Sequence, residues 1–289
     1  MHSYLRAIGF SNIKKNKEID KLLNEVIEKP TRLEVAKDSN GNEFTEFSKE
    51  FGGCIGITAC GEYTEDDEFQ LAYYYPYFCG TRNETTSSEL EVEKHAEKES
   101  YAGICDEMRL GVTLIFYLQN VADYLSERKA HSSDVNGGAL LAGLSVDGKI
   151  LLPEVKKAVK AGRPNQKDRS QLISEARDGD EDAIESLTLE DMDTYSMLSK
   201  RVMNEDILTI VSSCFMPYGI ESDQYSVLAE IVDLLEIENS LTSDIIYCMK
   251  LKCNDMVFDV CINKKDLMGE PEIGRRFKGN IWMQGTVCL

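Results

Sequence analysis

The strongest pattern in the chain is an alternation of apolar and polar positions between Tyr225 and Leu289. Tyr225 to Ile237 (YSVLAEIVDLLEI) is rich in branched residues and long enough to bend across two sheets. From Ile245, the residues Ile245, Tyr247, Met249, Leu251 and Cys253 share one face and Lys250 and Lys252 the other, the period-two signature of a half-buried strand. Asn254-Asp255 tolerates positive φ and predicts a tight hairpin into Met256, Phe258, Val260 and Ile262. Asn263 to Gly274 reads as a connection. Arg275 to Gln284 is the next strand, with Phe277, Ile281 and Met283 inward and Gly279 at a bend, and Gly285 is expected to break it before a short last strand. Five short strands with a helical turn after the third resemble an OB-type barrel, a fold that does not choose its ligand.

Upstream, Asn16 to Glu28 carries Ile19, Leu22, Leu23, Val26 and Ile27 at helical spacing, and Pro30 ends it. Arg32 to Ala36 predicts a strand, followed by a polar turn over Asp38 to Asn42. Cys54 to Tyr63 and Phe69 to Tyr75 predict a hairpin around the acidic loop Thr64 to Glu68. Glu89 to Glu99 fits strand and helix equally. The β-branched and aromatic content of Arg109 to Gln119 favours a central strand, after which Asn120 caps a helix to Lys129. Asp147-Gly148 predicts a second hairpin, between Ala139 to Val146 and Lys149 to Leu152. Residues 1–152 therefore read as an α+β domain with a mainly antiparallel sheet and helices packed on it.

Residues 153–169 shift to Lys, Gly, Pro, Asn and Gln and read as a linker. A small helical segment follows over residues 170–217: Ser170 to Arg177 closed by Gly179, Asp180 or Glu181 to Leu187, a longer helix opened by the Thr188 to Asp191 capping box, and one capped by Asn204 and ended by Pro217. The barrel domain takes residues 218–289.

Composition narrows the function classes. The 289 residues hold 32 basic and 51 acidic side chains, a formal charge of −19, which argues against general binding to nucleic acid or an anionic membrane. The amino terminus has no apolar run of signal-peptide length, and no stretch approaches the ~20 apolar residues of a membrane helix. Nine cysteines, an odd count, lie largely in apolar strands, as reduced thiols do. A cytoplasmic protein without cofactor or metal is the expectation.

The blocks HSYLRAIGFSNI, EKHAEKESYAGICDEMRLGVTLIFYLQN, SLTLEDMDTYSMLSKR, FMPYGIESDQYSVL and GRRFKGNIWMQG resemble an uncharacterised bacterial family of unknown function, found mainly in clostridial anaerobes and spanning the full length. The resemblance implies a bacterial cytosolic protein and carries over no catalytic residue.

Candidate chemistry is sparse. His95 among Glu93, Glu97 and Glu99 lacks a second histidine or cysteine at ligand spacing, so a solvated face explains it better than a metal site. Asp178, Asp180 and Asp182 mimic the start of a calcium loop, but Ala183 stands where glycine is needed and Leu189 cannot ligate. Cys105 is better read as a buried thiol than as a nucleophile served by His95. The leading expectation is a non-catalytic binding or scaffolding protein, with an unknown protein or a small anionic ligand as partner. The rival is an enzyme with an acid–base site in an interdomain cleft, using His95, Glu97, Glu99 and Asp106.

One surface stands out. Alternation forces Arg276, Lys278, Asn280, Trp282 and Gln284 to the face opposite the barrel core. Arg276, Lys278, Trp282 and Gln284 then form a basic, aromatic stripe suited to a stacked ring with an anionic group. The alternative is that another part of the chain covers Trp282 and leaves the cations at the rim.

Overall fold

The computed structural model describes residues 2–13, 15–38, 41–64, 66–80, 85–86, 90–94, 99–130, 138–153, 175–177, 179–188, 192 and 211–289. They fall in two compact units, Met1–Leu152 with Ser213–Leu289, and Pro153–Ser212. In the second, Asp180 accepts a hydrogen bond from the Ala183 amide (3.1 Å) and so caps a helix over residues 181–188, as the acidic start of that segment predicts. Most of the 153–169 linker, residues 204–210 of the helix expected from Asn204, and nearly all of the one expected from the Thr188 box lie outside the described residues.

The first unit is sheet-rich α+β. Its amino-terminal sheet is an antiparallel meander of β1 (Arg32–Lys37), β2 (Glu43–Gly52), β3 (Ile55–Tyr63) and β4 (Phe69–Phe78). The helix α1 (Asn16–Glu28) buries Ile19, Leu22, Leu23 and Val26, the stripe its spacing predicts. The strand β2 has no counterpart in the sequence reading. Its phenylalanines, Phe44, Phe47 and Phe51, recur at helical spacing, and this masks the alternation that pairing with β1 and β3 imposes.

The second sheet contains β5 (Leu90–Lys94), β6 (Tyr101–Glu107), β7 (Val112–Leu118), β8 (Ala139–Leu151), β10 (Gln224–Glu238), β11 (Ile245–Cys253), β12 (Met256–Asn263), β13 (Leu267–Met268) and β14 (Arg276–Val287); a short strand β9 (Cys214–Pro217) pairs with β10. Pro217 therefore ends a strand where the sequence predicts the end of a helix. Five of these strands close a barrel in the order β8, β12, β11, β10, β14 and back to β8. All neighbours are antiparallel except β8 with β12, which run parallel. That is the order and direction set of an OB barrel whose closing strand precedes the other four in the chain.

The barrel is as expected in kind but not in its parts. Its fifth strand is β8, from the amino-terminal half, and no strand break occurs at Gly285. Nor does Asp147-Gly148 turn the chain: β8 runs straight through, with Gly148 opposite Gly279 of β14. A Cβ on Gly148 would stand 2.5 Å from the Phe277 ring and one on Gly279 2.6 Å from it. The two glycines make room for a core aromatic. Because β8 pairs with both β12 and β14, residues 1–152 and 218–289 are not separate domains.

Elsewhere the patterning holds. Asn254, at φ 51°, turns β11 into β12 with Cys253 opposite Met256. The long strand β10 gives its first half to β14 and its second to β11, bulging between Ile231 and Asp233. Past the barrel, β14 continues beside β7, which extends the sheet to β6 and β5. The helix α2 (Val121–Ala130) follows β7. No helix among the described residues is long and apolar enough to cross a membrane.

Candidate functional site

Alternation on β14 places Phe277, Ile281 and Met283 in the barrel core, and the opposite face carries Arg276, Lys278, Trp282 and Gln284, but that face is not a free surface. Trp282 is only 5% exposed. Its indole N–H donates to Asp223 (2.7 Å), and its ring meets those of His2, Tyr4 and Tyr117 at centroid distances of 4.7, 5.3 and 5.2 Å. Tyr4 belongs to a 3-10 helix, Ser3–Ile8. Asn263 and Asn239, both buried, hold that helix by donating to the carbonyls of Arg6 and Ile8 (3.3 and 2.7 Å). Gln284 is fully buried; it donates to the Pro76 carbonyl (2.8 Å) and accepts from Gln119 (2.7 Å). Arg276 is buried and donates to the Leu152 carbonyl (3.1 Å), while Lys278 is half-buried. Trp282 is thus covered, as in the alternative, by the amino-terminal segment, but Arg276 is buried and not left at the rim.

Of the proposed acid–base group, only Glu99 and Asp106 fall among the described residues. His95 and Glu97 lie outside the described residues. Glu99 and Asp106 sit near opposite ends of β6, seven residues apart and so roughly 20 Å apart along a strand. Glu99 accepts from the Tyr101 hydroxyl (2.7 Å) and Asp106 from Thr113 (2.6 Å). Burial pushes the Cys105 thiol up to about 11, away from nucleophilic character.

Polar groups converge elsewhere, on the amino-terminal sheet. Along β2, side chains alternate between two faces. One carries Phe47, Lys49 and Phe51; the Lys49 ammonium donates to the Lys29 carbonyl (3.0 Å), which identifies this as the α1 face. The other carries Glu46, Ser48 and Glu50. Strand register then builds rows across that second face: Arg32, Ser48, Thr58 and Tyr75 in one; Glu34, Glu46, Cys60 and Tyr73 in the next; Glu50, Gly56 and Tyr77 in a third. The first turn of α2, with Gln119, Asn120 and Thr286, covers part of this face and leaves a cavity of about 400 Å³.

Glu46 is its most unusual member. The carboxyl is buried, accepts from the Ala122 amide of α2 (3.1 Å), and lies 3.8 Å from the Cys60 thiol, which donates to it. Burial pushes it up to about 8, helped by Glu34 and Asp123 and opposed by the Ala122 amide and Arg32. The sequence assigns the α2 cap to Asn120. Its side chain instead exchanges hydrogen bonds with the backbone of Val287 (3.1 and 3.0 Å), leaving Glu46 to serve the helix start.

Among the described residues that line the cavity there is one guanidinium, and it is committed. Arg32 pairs with Glu34 and with Asp123, the latter at 3.3 Å. The uncommitted capacity is mainly that of acceptors and hydroxyls: Ser48 and Thr58, which share a hydrogen bond (2.9 Å), Thr31, Tyr77 and Glu50. Tyr75 donates to the Gln119 carbonyl (2.9 Å), leaving its oxygen able to accept. Sequence reasoning missed this site because β2 was missed. The available signal was the alternation Phe44, Glu46, Ser48, Glu50, in which a carboxylate follows a buried aromatic on one face.

A family model described as "Domain of unknown function, E. rectale Gene description (DUF3881)" matches residues 5–285. No curated protein and no solved structure matches the chain.

Proposed function

The chain belongs to the DUF3881 family, whose description assigns no activity, and we propose that it is a binding protein whose cavity beside β2 holds a small, polar, non-anionic ligand. The observation that carries this reading is the cavity's charge balance among the described residues: the single guanidinium is already paired with two carboxylates, while hydroxyls and a further carboxylate, Glu50, face the open space. Such walls suit a molecule that brings hydrogen-bond donors. A small anionic ligand was expected only because Trp282 and its cations were to be displayed, and with Trp282 buried that footing is gone.

Ring NMR of labelled tyrosine tests the reading. Butane-1,4-diol or butylamine should shift the Tyr75 and Tyr77 rings and leave the exposed Tyr63 ring unmoved. Unmoved Tyr75 and Tyr77 rings with these and with butyrate would overturn it.

A second reading is acid–base catalysis by Glu46, favoured by a carboxyl that burial pushes up to about 8 in the wall of a cavity. Conversion of a bound compound, abolished in Glu46→Gln, would select it over simple binding.

A further inference from the structure

Among its described lining residues the cavity is short of positive charge. Around Glu46 stand Arg32 and Glu34 from β1, Cys60 from β3, Tyr73 and Tyr75 from β4, Tyr117 from β7 and Asp123 from α2, with Glu50 two rows along β2, beyond Ser48. Three carboxyl groups, Glu34, Glu46 and Asp123, therefore share the one guanidinium of Arg32. Two of them pair with it directly. The third is held in the interior by an amide and a thiol, neither of which carries charge.

Resting on the binding reading, we infer that the cavity's ligand is an aliphatic amine whose ammonium group sits against Glu46. The walls agree with this independently of charge. Tyr77, half-buried, lines the cavity and can offer its ring to an alkylammonium, and Ser48, Thr58 and Thr31 supply oxygens for its N–H groups. Proton balance is simple: the amine enters already protonated, Glu46 releases its proton to solvent, and no covalent bond forms. A neutral polyol would enter without that exchange, and an anion would add to the excess of carboxylates.

The consequence is a linked equilibrium. If the amine binds only ionised Glu46, its dissociation constant should fall as pH rises, by about tenfold per unit below the carboxyl's midpoint and by about fiftyfold between pH ~6 and ~8. Butylamine remains charged throughout, so its own titration does not enter. Titrations followed by the Tyr77 ring shift should show this for butylamine and no such slope for butan-1-ol. Glu46→Gln should bind butylamine weakly and with no pH slope. Glu34→Gln should weaken it while keeping the slope. Butan-1-ol binding as tightly as butylamine at every pH, or an unchanged slope in Glu46→Gln, overturns the inference and leaves the cavity as a binding site for neutral molecules. Silence from both probes at the Tyr77 ring overturns the binding reading itself.

Discussion

A carboxyl enclosed by a thiol, aromatic rings and the first turn of a helix can ionise only at the expense of the fold. Glu46 has a midpoint of about 8 when folded and an ordinary carboxylate value when unfolded, so between about pH 5 and 8 the folded chain holds more protons than the unfolded one. Stability should then fall as pH rises through that window, with a contribution from this group approaching 1.4 kcal/mol per unit at most, and level off above it. Glu46→Gln keeps an acceptor for the Ala122 amide and cannot ionise. Urea unfolding at a series of pH values should show its stability gaining on that of the parent as pH rises; parallel curves would mean that Glu46 is ionised in the folded protein near neutrality. Trp282 carries a different lesson at this scale. Its place on the non-core face of β14 was legible from alternation, but its cover was not, because contact with Tyr4 joins positions nearly a full chain length apart and leaves no local pattern.

Among elements, the strands that read most clearly were those whose two faces differ: β11, with its lysines outward, and β14. Those that misled did so for identifiable reasons. Asp147-Gly148 has turn chemistry but serves a close approach of strands, and Phe44, Phe47 and Phe51 imitate a helix stripe inside β2. A related glycine shapes the cavity. Gly56 lies opposite both Glu50 and Tyr77, and a Cβ there would meet the Tyr77 ring and the Lys49 carbonyl at 2.4 Å. The Tyr77 ring thus lies across a bare backbone, which seats it in the cavity wall. Gly56→Ala should cost about 1–3 kcal/mol in unfolding free energy and weaken butylamine binding by displacing that ring. Unchanged stability and affinity would show that Tyr77 is free to move aside.

At the scale of the molecule, one feature of topology governs the rest. The closing strand of the barrel comes from the amino-terminal half, so β8 binds the two ends of the chain into a single unit in which β14 runs from the barrel to the neighbourhood of the polar sheet face. Gln284 and Thr286 of β14 reach Gln119, and Gln119 and Thr286 line the cavity whose other walls are β1 to β4. The candidate site therefore depends on both ends of the sequence, which explains why a segment-by-segment reading located a plausible barrel and no site. The claim that this cavity is where the protein meets its ligand is tested most directly by crystals of the full chain soaked in turn with butylamine, butane-1,4-diol and butyrate. The account predicts density for the first two between Tyr75, Tyr77 and the Ser48–Thr58 pair, and none there for butyrate; butyrate bound in the cavity beside Arg32, or all three collecting at another site while the cavity holds only solvent, would contradict it.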